Sequence, residues 1–267
     1  MRGIIRRSSL VFVAAAVATG CSGAASPSPT PTPTPTLPAS PTANPSAAAL
    51  GWTVAPLAQG SVTGLPTAPL YINVLDIPQA PAASTQHAHI AGLVYAAVGV
   101  HRVVIQGGPT VDVQPGEGSF IGQDIVHTHS NPGTVPSQWY FIAIRNVGGR
   151  IAPPTFPGQS VLYETPDLPA LAAGSYNQRI DLITLERGGR TPAHQHGGVE
   201  ALIVLDGTVQ VRAAGQQPAT VTKGKGAYVL PNTVMQVTNT GDGTARYLNF
   251  FVTLDGATFM TPVTTVP

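Results

Sequence analysis

Short apolar runs alternate with turn residues from about residue 50 to the end of the chain. Runs of this kind cover residues 70–75, 201–205 and 247–252. The segment 208–211 alternates apolar and polar side chains at the two-residue period of a β-strand, and the turn pair Asp206-Gly207 precedes it. Many short strands separated by turn residues predict an all-β fold of the sandwich or barrel type. The pattern leaves room for one short helix, at residues 168–173.

The pattern of the first half returns in the second half. His87-Ala88-His89 in the first half matches His194-Gln195-His196 in the second, and each pair precedes an apolar run. A second polar cluster follows each pair further along the chain, at His127 and at Gln236. Two copies of one β domain of roughly 100 residues account for this recurrence.

The recurrence and the composition divide the chain into four parts. We expect a signal peptide at residues 1–20, an anchoring cysteine with a linker at 21–48, an N-terminal barrel at 50–165 and a C-terminal barrel at 170–267. The boundary between the two barrels falls in a Pro-rich stretch.

The first residues are typical of an export signal. Arg2, Arg6 and Arg7 form a charged start, and the apolar run that follows is shorter than the ~20 residues that a bilayer span needs. Ala18-Thr19-Gly20-Cys21 resembles the lipobox of bacterial lipoproteins. The resemblance implies cleavage before Cys21 and lipidation of its thiol. An ordinary cleaved signal peptide beside an incidental cysteine is the alternative.

Residues 21–48 consist mostly of Ser, Pro, Thr and Ala, with an alternating Pro-Thr run. Too few apolar side chains are present to form a core, and proline keeps such a segment extended at ~3 Å per residue. This composition indicates a disordered spacer between a membrane anchor and the folded part. We therefore expect an exported protein at the cell surface or in the periplasm.

The composition limits the partners of the chain. Asp, Glu, Lys and Arg make up only 9% of residues, well below the usual quarter, and the net charge is +1. Without a basic patch, nucleic acid is not an expected partner. Cys21 is the only cysteine, which excludes an intramolecular disulfide.

The second half carries a candidate metal site. His194 and His196 are two residues apart, so on a strand both imidazoles face the same side. The Gly197-Gly198 pair lets the chain bend, and Glu200 can return as a carboxylate ligand. Two imidazoles and a carboxylate suit Fe, Mn, Zn or Ni and leave coordination positions open.

These residues resemble the first cupin motif, G-x5-H-x-H-x3-E-x6-G. The matching positions are Gly188, His194, His196, Glu200 and Gly207. The resemblance implies the cupin fold, a double-stranded β-helix or jelly roll, and the recurrence implies two such barrels in tandem.

The second cupin motif, which supplies a further histidine, is only partly present in this half. Gln236 stands at the histidine position, and Asn239 is one residue short of the expected asparagine. Gln236 can either bind the metal through its amide oxygen or only line the pocket.

The first half shows the complementary pattern. The second motif keeps His127, and the first motif keeps His87 and His89 but has Leu93 at the glutamate position. The resemblance implies a three-histidine metal site, and a decayed site is the alternative. His129 shares a strand face with His127 and can serve as a ligand or as a hydrogen-bond donor beside the metal.

His101 is the only histidine outside these motifs, and we expect it to be an ordinary strand or turn residue.

Cupins differ widely in activity, so the resemblance implies metal binding more strongly than a reaction. We expect an exported bicupin that binds a small molecule at its His/Glu metal centre, with dioxygenase-like oxidative activity and with Arg190 and Tyr228 contacting the substrate. A non-catalytic extracellular ligand- or metal-binding lipoprotein is the alternative. A structural envelope protein with vestigial sites is a weaker one. The two fused barrels are compatible with a monomer or a homodimer.

Overall fold

The computed structural model describes residues 50–65, 69–151 and 154–264. In these ranges the chain is built from β-strands, with one 3-10 turn at Val147–Ile151, so the all-β prediction is confirmed. No helix among the described residues has the length and apolar character needed to cross a membrane. The predicted signal peptide, Cys21 and the linker lie outside the described residues.

The described chain opens with β1 (Trp52–Thr63), and the first barrel follows it. Its strands are β2 (Leu70–Gln79), β3 (Ser84–His87), β4 (Gly92–Val98), β5 (His101–Ile105), β6 (Thr110–Val113), β7 (Gly118–Ile121), β8 (His127–Ser130), β9 (Ser137–Asn146) and β10 (Ser160–Glu164). They form two antiparallel sheets, in the orders β10-β2-β9-β4-β7 and β3-β8-β5-β6.

The second barrel repeats this plan. Its strands are β11 (Ser175–Leu185), β12 (His194–His196), β13 (Val199–Asp206), β14 (Thr208–Ala213), β15 (Ala219–Thr222), β16 (Gly226–Val229), β17 (Met235–Asn239), β18 (Ala245–Leu254) and β19 (Met260–Pro262). The sheet orders are β1-β11-β18-β13-β16 and β15-β14-β17-β12-β19.

An edge strand next to each barrel also packs against the other barrel. β1 lies in the range predicted for the N-terminal barrel, but it pairs with β11 along its length and so completes a sheet of the second barrel. It also packs on the first barrel, because a Cβ on Gly60 of β1 would lie 2.1 Å from the ring of Phe120 in β7. On the other side, a Cβ on Gly226 would lie 2.6 Å from the ring of Tyr163 in β10. Sequence order alone does not reveal which sheet has a free edge for β1.

Three apolar cores follow from the alternation of the strands. One core lies inside each barrel, around Ile77 and Trp139 in the first and around Val209 and Tyr247 in the second. The third core joins the outer faces of the two large sheets and includes Ile72 and Phe250. Because both barrels bury a large face in this shared core, they form one folded unit.

The predicted helix at 168–173 does not form. Leu168 instead makes an isolated antiparallel bridge to Leu70, with its backbone N–H donating to the carbonyl of Leu70 at 2.7 Å. Pro166 and Pro169 flank Leu168, and proline both removes a helical donor and restricts the residue before it. The predicted strands at 70–75, 201–205, 208–211 and 247–252 are confirmed.

Candidate metal centres

Four histidines converge inside the first barrel. His87, His89, His127 and His129 each offer a ring nitrogen, and these nitrogens all lie within 4.8 Å of one another. Strands β3 and β8 pair with His87 opposite His127, which brings histidines from distant segments to one place. The structure therefore unites the three predicted residues of this half and adds His129.

The hydrogen bonds of these histidines direct free nitrogens into the cluster. His127 Nδ1 lies 2.7 Å from the carbonyl oxygen of Ile125, and His89 Nδ1 bonds the carbonyl of Ile90. Among the described residues, His89 Nε2 and both ring nitrogens of His87 are buried without a partner. Unpaired buried nitrogens beside rings held by backbone carbonyls fit a bound divalent metal ion.

His101 belongs to the same group of side chains, which sequence reasoning missed. It lies on β5, beside β8, and its Nε2 is 2.7 Å from Nδ1 of His129. His129 Nε2 in turn lies 2.8 Å from His127 Nε2. The rings of His101 and His129 both stack on Trp139, at centroid distances of 4.1 and 4.4 Å. Only strand pairing places His101 here, since no motif spacing includes it.

Burial keeps these imidazoles neutral. It lowers the pKa of His87 to about 4 and the pKa values of His89 and His101 to about 3, and it also lowers the pKa of His127 and of His129. A neutral imidazole has a lone pair for a metal ion, whereas an imidazolium has none. The first barrel thus offers an uncharged ligand set at neutral pH.

The second barrel brings together His194, His196 and Glu200, whose ligand atoms lie within 4.8 Å of one another. His194 Nδ1 bonds the carbonyl of Pro192 at 2.8 Å, and His196 Nδ1 bonds the carbonyl of Phe259 at 2.7 Å. Both Nε2 atoms therefore remain available. His196 Nε2 lies 3.4 Å from Glu200 Oε2.

Glu200 is the buried acid of this cluster. The amide of Asn249 donates to its Oε1 at 2.7 Å, while Oε2 has no hydrogen-bond partner in the described part of the chain. Burial raises the pKa of Glu200 and lowers the pKa of His196 to about 4. A buried carboxylate with one free oxygen is costly by itself, so this donor set also fits a cation.

The C-terminal segment closes the second cluster. β19 pairs with β12, and the backbone N–H of Gly197 donates to the carbonyl of Thr258 at 3.2 Å. The ring of Phe259 packs on His196, with a distance of 5.0 Å between the ring centroids. The guanidinium of Arg179 lies over the Phe259 ring, 4.6 Å from its centroid. His194 and His196 are each only 5% exposed.

The structure does not place Gln236 in this cluster. β12 and β17 pair with His194 opposite Met235, so alternation turns the next residue, Gln236, to the other face. The amide nitrogen of Gln236 donates to the carbonyl of Thr191 at 3.0 Å. The position that corresponds to His127 is thus held by Met235.

The predicted substrate residues also lie elsewhere. Arg190 is exposed and forms an isolated bridge to Thr238. Tyr228 lies opposite Ala201, on the face away from Glu200, and packs against the core shared by the barrels.

The register also revises the residue that replaces the glutamate in the first barrel. Glu200 pairs with Val229, and the matching pair in the first barrel is Gly92 with Ile121. A Cβ on Gly92 would lie 2.5 Å from the ring of Phe141, which packs on His89 at 4.4 Å. An aromatic ring therefore fills the space of the missing carboxylate, whereas Leu93 faces the shared core.

A cavity of about 190 Å³ opens onto the first cluster. Its lining includes His87, His89 and His129 together with Asn73 and Arg145. The first centre therefore has adjoining space for a ligand, while the second is covered by its own chain.

Known proteins support the fold. Residues 181–251 match the protein-family profile described as Cupin domain, and no curated protein matches the chain significantly. The oxalate decarboxylase of Lactobacillus farciminis, in a formate complex, is 14% identical with a TM-score of 0.52, over 72% of this chain and 80% of that chain.

Two further solved structures are similar over most of their length. The oxalate decarboxylase of Bacillus subtilis, which has Mn(II) centres, is 15% identical with a TM-score of 0.50, over 72% of this chain and 71% of that chain. AerE from Microcystis aeruginosa is 13% identical with a TM-score of 0.50, over 74% and 98% of the respective chains. At these identities the likeness shows the fold, and the predicted cupin fold is confirmed.

Proposed function

We propose that this chain is an exported, metal-binding bicupin whose first barrel binds a small molecule beside a histidine-held metal ion. The cavity on the four-histidine cluster carries this proposal, because it is the space from which a ligand reaches the candidate metal position. This moves the ligand site from the His/Glu cluster, which the motif favoured, to the first barrel.

His87, His89 and His127 would hold the ion, and His129 would add a fourth nitrogen through its Nε2. A bound divalent ion supplies Lewis-acid or redox chemistry at neutral pH. The protein's own groups orient the ligand and exclude water: Phe156 packs at 5.2 Å from His87, and Phe141 covers His89. Neutral ligands leave the full charge of the ion to act on a bound oxygen donor.

The second barrel takes a different part in this proposal. His194, His196 and Glu200 would hold a second ion that is enclosed by β19 and stabilises the barrel. Iron, manganese, zinc and nickel all accept this mixed set. Manganese has additional support from the Mn(II) centres of the Bacillus subtilis oxalate decarboxylase.

Cobalt substitution tests which centre is open. The visible spectrum of Co(II)-loaded protein should change when azide is added, and it should still change in His196→Ala. In a His87→Ala, His89→Ala double variant the azide response should disappear. A response that depends on His196 and persists in the double variant would refute the assignment.

Catalysis and binding separate in a second experiment. Oxygen uptake by the iron-loaded protein with phenols, thiols or 1,3-diketones would support a dioxygenase-type enzyme. A stable complex without oxygen uptake supports the alternative, a non-catalytic binding protein. Among the described residues the first cluster consists of histidines alone, so its ligand set differs from that of the His/Glu motif.

Membrane anchoring is the remaining part of the proposal, and it depends on the lipobox-like Ala18-Thr19-Gly20-Cys21. Cys21→Ser should move the protein from the membrane fraction to the soluble extracellular or periplasmic fraction. Unchanged membrane fractionation of this variant would exclude a lipid on Cys21.

A further inference from the structure

A free arginine lies on the wall of the first-barrel cavity. Arg145 follows Phe141 and Ala143 at alternate positions of β9, so its side chain enters the barrel from the same face. Arg145 lies opposite Tyr71 in the β2–β9 ladder, and a Cβ on Gly149 would be 3.4 Å from Nε of Arg145 and 3.2 Å from the Tyr71 hydroxyl. The side chain of Arg145 lines the cavity. Within residues 50–65, 69–151 and 154–264, the arginine side chains that form hydrogen bonds or ion pairs are those of Arg102, Arg150, Arg179, Arg187 and Arg212, and the side chain of Arg145 is not among them.

The neighbouring arginine is fully engaged. Arg150 donates to Glu164 at 3.0 Å and to Asp167 at 2.9 Å, and its guanidinium lies 4.0 Å from the centroid of the Tyr71 ring. The acids at this end of the cavity are therefore already paired. In the part of the chain that the structure describes, Arg145 is the arginine that lines the cavity without an ion-pair partner.

Two buried polar groups near Arg145 also have no partner in the described part of the chain. They are the hydroxyl of Tyr71, whose side chain is fully buried, and Oδ1 of Asn73, which is 2% exposed and lines the cavity. A buried polar group without a hydrogen bond is costly, which indicates a polar ligand or water in this place.

The cavity has a charged end and a metal-binding end with apolar walls between them. Phe141 contacts His89 at the histidine end. Arg145 lies four residues further along β9, so the Cα atoms of Phe141 and Arg145 are ~13 Å apart. Leu75 and Val161 contribute apolar side chains to the lining of the same cavity. A volume of about 190 Å³ is below the ~300–1,000 Å³ of sites for drug-sized ligands.

We infer that the cavity binds a small organic acid whose carboxylate pairs with Arg145 and whose second oxygen reaches the histidine centre. The contact of the second oxygen rests on the proposed function, whereas the contact with Arg145 does not. A single free cation selects one carboxylate, and the apolar walls select a short carbon chain. A carbonyl or hydroxyl oxygen suits the neutral histidine site.

Three matched probes test both contacts. 4-Oxopentanoate has both groups, pentanoate lacks the second oxygen, and pentan-2-one lacks the carboxylate. Dissociation constants come from ligand-observed NMR titration of the full chain, with and without zinc. We expect 4-oxopentanoate to bind more tightly than either of the other two, and removal of zinc to weaken 4-oxopentanoate but not pentanoate.

The decisive variant is Arg145→Gln, which keeps a polar, hydrogen-bonding side chain but removes the positive charge. It should raise the dissociation constants of both acids about 10- to 100-fold and leave pentan-2-one unchanged. Arg145→Lys should restore part of the affinity. Arg187→Gln is the control, because Arg187 is 74% exposed and its carboxylate partner is 3.8 Å away.

Failure of each claim has its own result. Acid binding that is absent, or equally tight in Arg145→Gln and the unchanged protein, overturns the inference. A carboxylate preference that depends on Arg145 in a protein that takes up no zinc supports the carboxylate contact and overturns the proposed metal function.

Discussion

His101 Nε2 lies 2.7 Å from His129 Nδ1, and both rings rest on Trp139. A metal ion on His129 Nε2 requires the proton of that ring to be on Nδ1, where His101 can accept it. The second barrel has no counterpart of this pair, because its interior is lined by aliphatic residues such as Val209 and Val237. The first barrel thus has a second histidine behind its histidine cluster, positioned to hydrogen-bond His129.

Replacing His101 by phenylalanine keeps a ring against Trp139 but removes the acceptor. We expect His101→Phe to weaken zinc binding in the first barrel about 10- to 100-fold, the usual effect of losing such a partner. His101→Gln, which keeps a hydrogen-bonding group, should retain most of the affinity. Competition with a chromophoric chelator measures this, in a His196→Ala background that disables the second centre. Unchanged affinity in His101→Phe would show that His101 has no part in metal binding.

Glu200→Gln tests the second centre. Without metal, the buried carboxylate destabilises the fold, so the glutamine variant should be about 1–3 kcal/mol more stable toward urea at neutral pH. Its metal affinity should fall, because the amide brings no charge. Glu186→Gln, at an exposed position, is the matched control and should change neither quantity. A destabilised metal-free Glu200→Gln would contradict the account.

The stability of the metal-free protein should depend on pH. Burial lowers the pKa of His101 to about 3 and of His196 to about 4, from the ordinary 6.5. Between pH 6.5 and about pH 4, these histidines are protonated in the unfolded chain but remain neutral in the native chain. The unfolded chain therefore binds more protons, and the free energy of unfolding falls as the pH is lowered from 6.5 towards 4. The raised pKa of Glu200 acts in the opposite direction but is one group against several histidines.

Urea unfolding at pH 5 and pH 7 measures this difference. His101→Phe removes one of the protonating groups and should show a smaller loss of stability at pH 5. Equal stability of the unchanged protein at the two pH values would argue against buried neutral histidines.

Gly60→Ala tests the packing of β1 across the barrels. Its Cβ would collide with the ring of Phe120, which should cost about 1–3 kcal/mol of unfolding free energy. Gly243→Ala is the control, since nothing lies within 4 Å of its added Cβ. Thermal or urea unfolding measures the free energy of unfolding of the two variants. Equal changes in this free energy would show that β1 does not pack closely against Phe120 of the first barrel.

Local spacing predicts much of this protein. The alternation in residues such as 208–211 indicates strands, and an H-x-H pair needs only one strand to aim two imidazoles at one point. For this reason His194 and His196, which both lie on β12, come together as expected. His87 and His89 also converge, although β3 ends at His87 and His89 follows it outside the strand.

Relationships between strands were not accessible in this way. Whether Gln236 or Met235 faces His194 depends on the register of β17 against β12, and a shift of one residue reverses the faces. His101 meets His129 only because β5 pairs with β8. The cover of β19 over His196 likewise depends on a distant segment.

Metal content per chain is the most direct test of the central claim, that histidines of the first barrel hold a metal ion. Elemental analysis of the full chain, purified without added metal and then loaded with zinc, should give two ions per chain. The His87→Ala, His89→Ala variant and the His194→Ala, His196→Ala variant should each retain one. A chain that binds no metal, or a first variant that still binds two ions, would contradict the account.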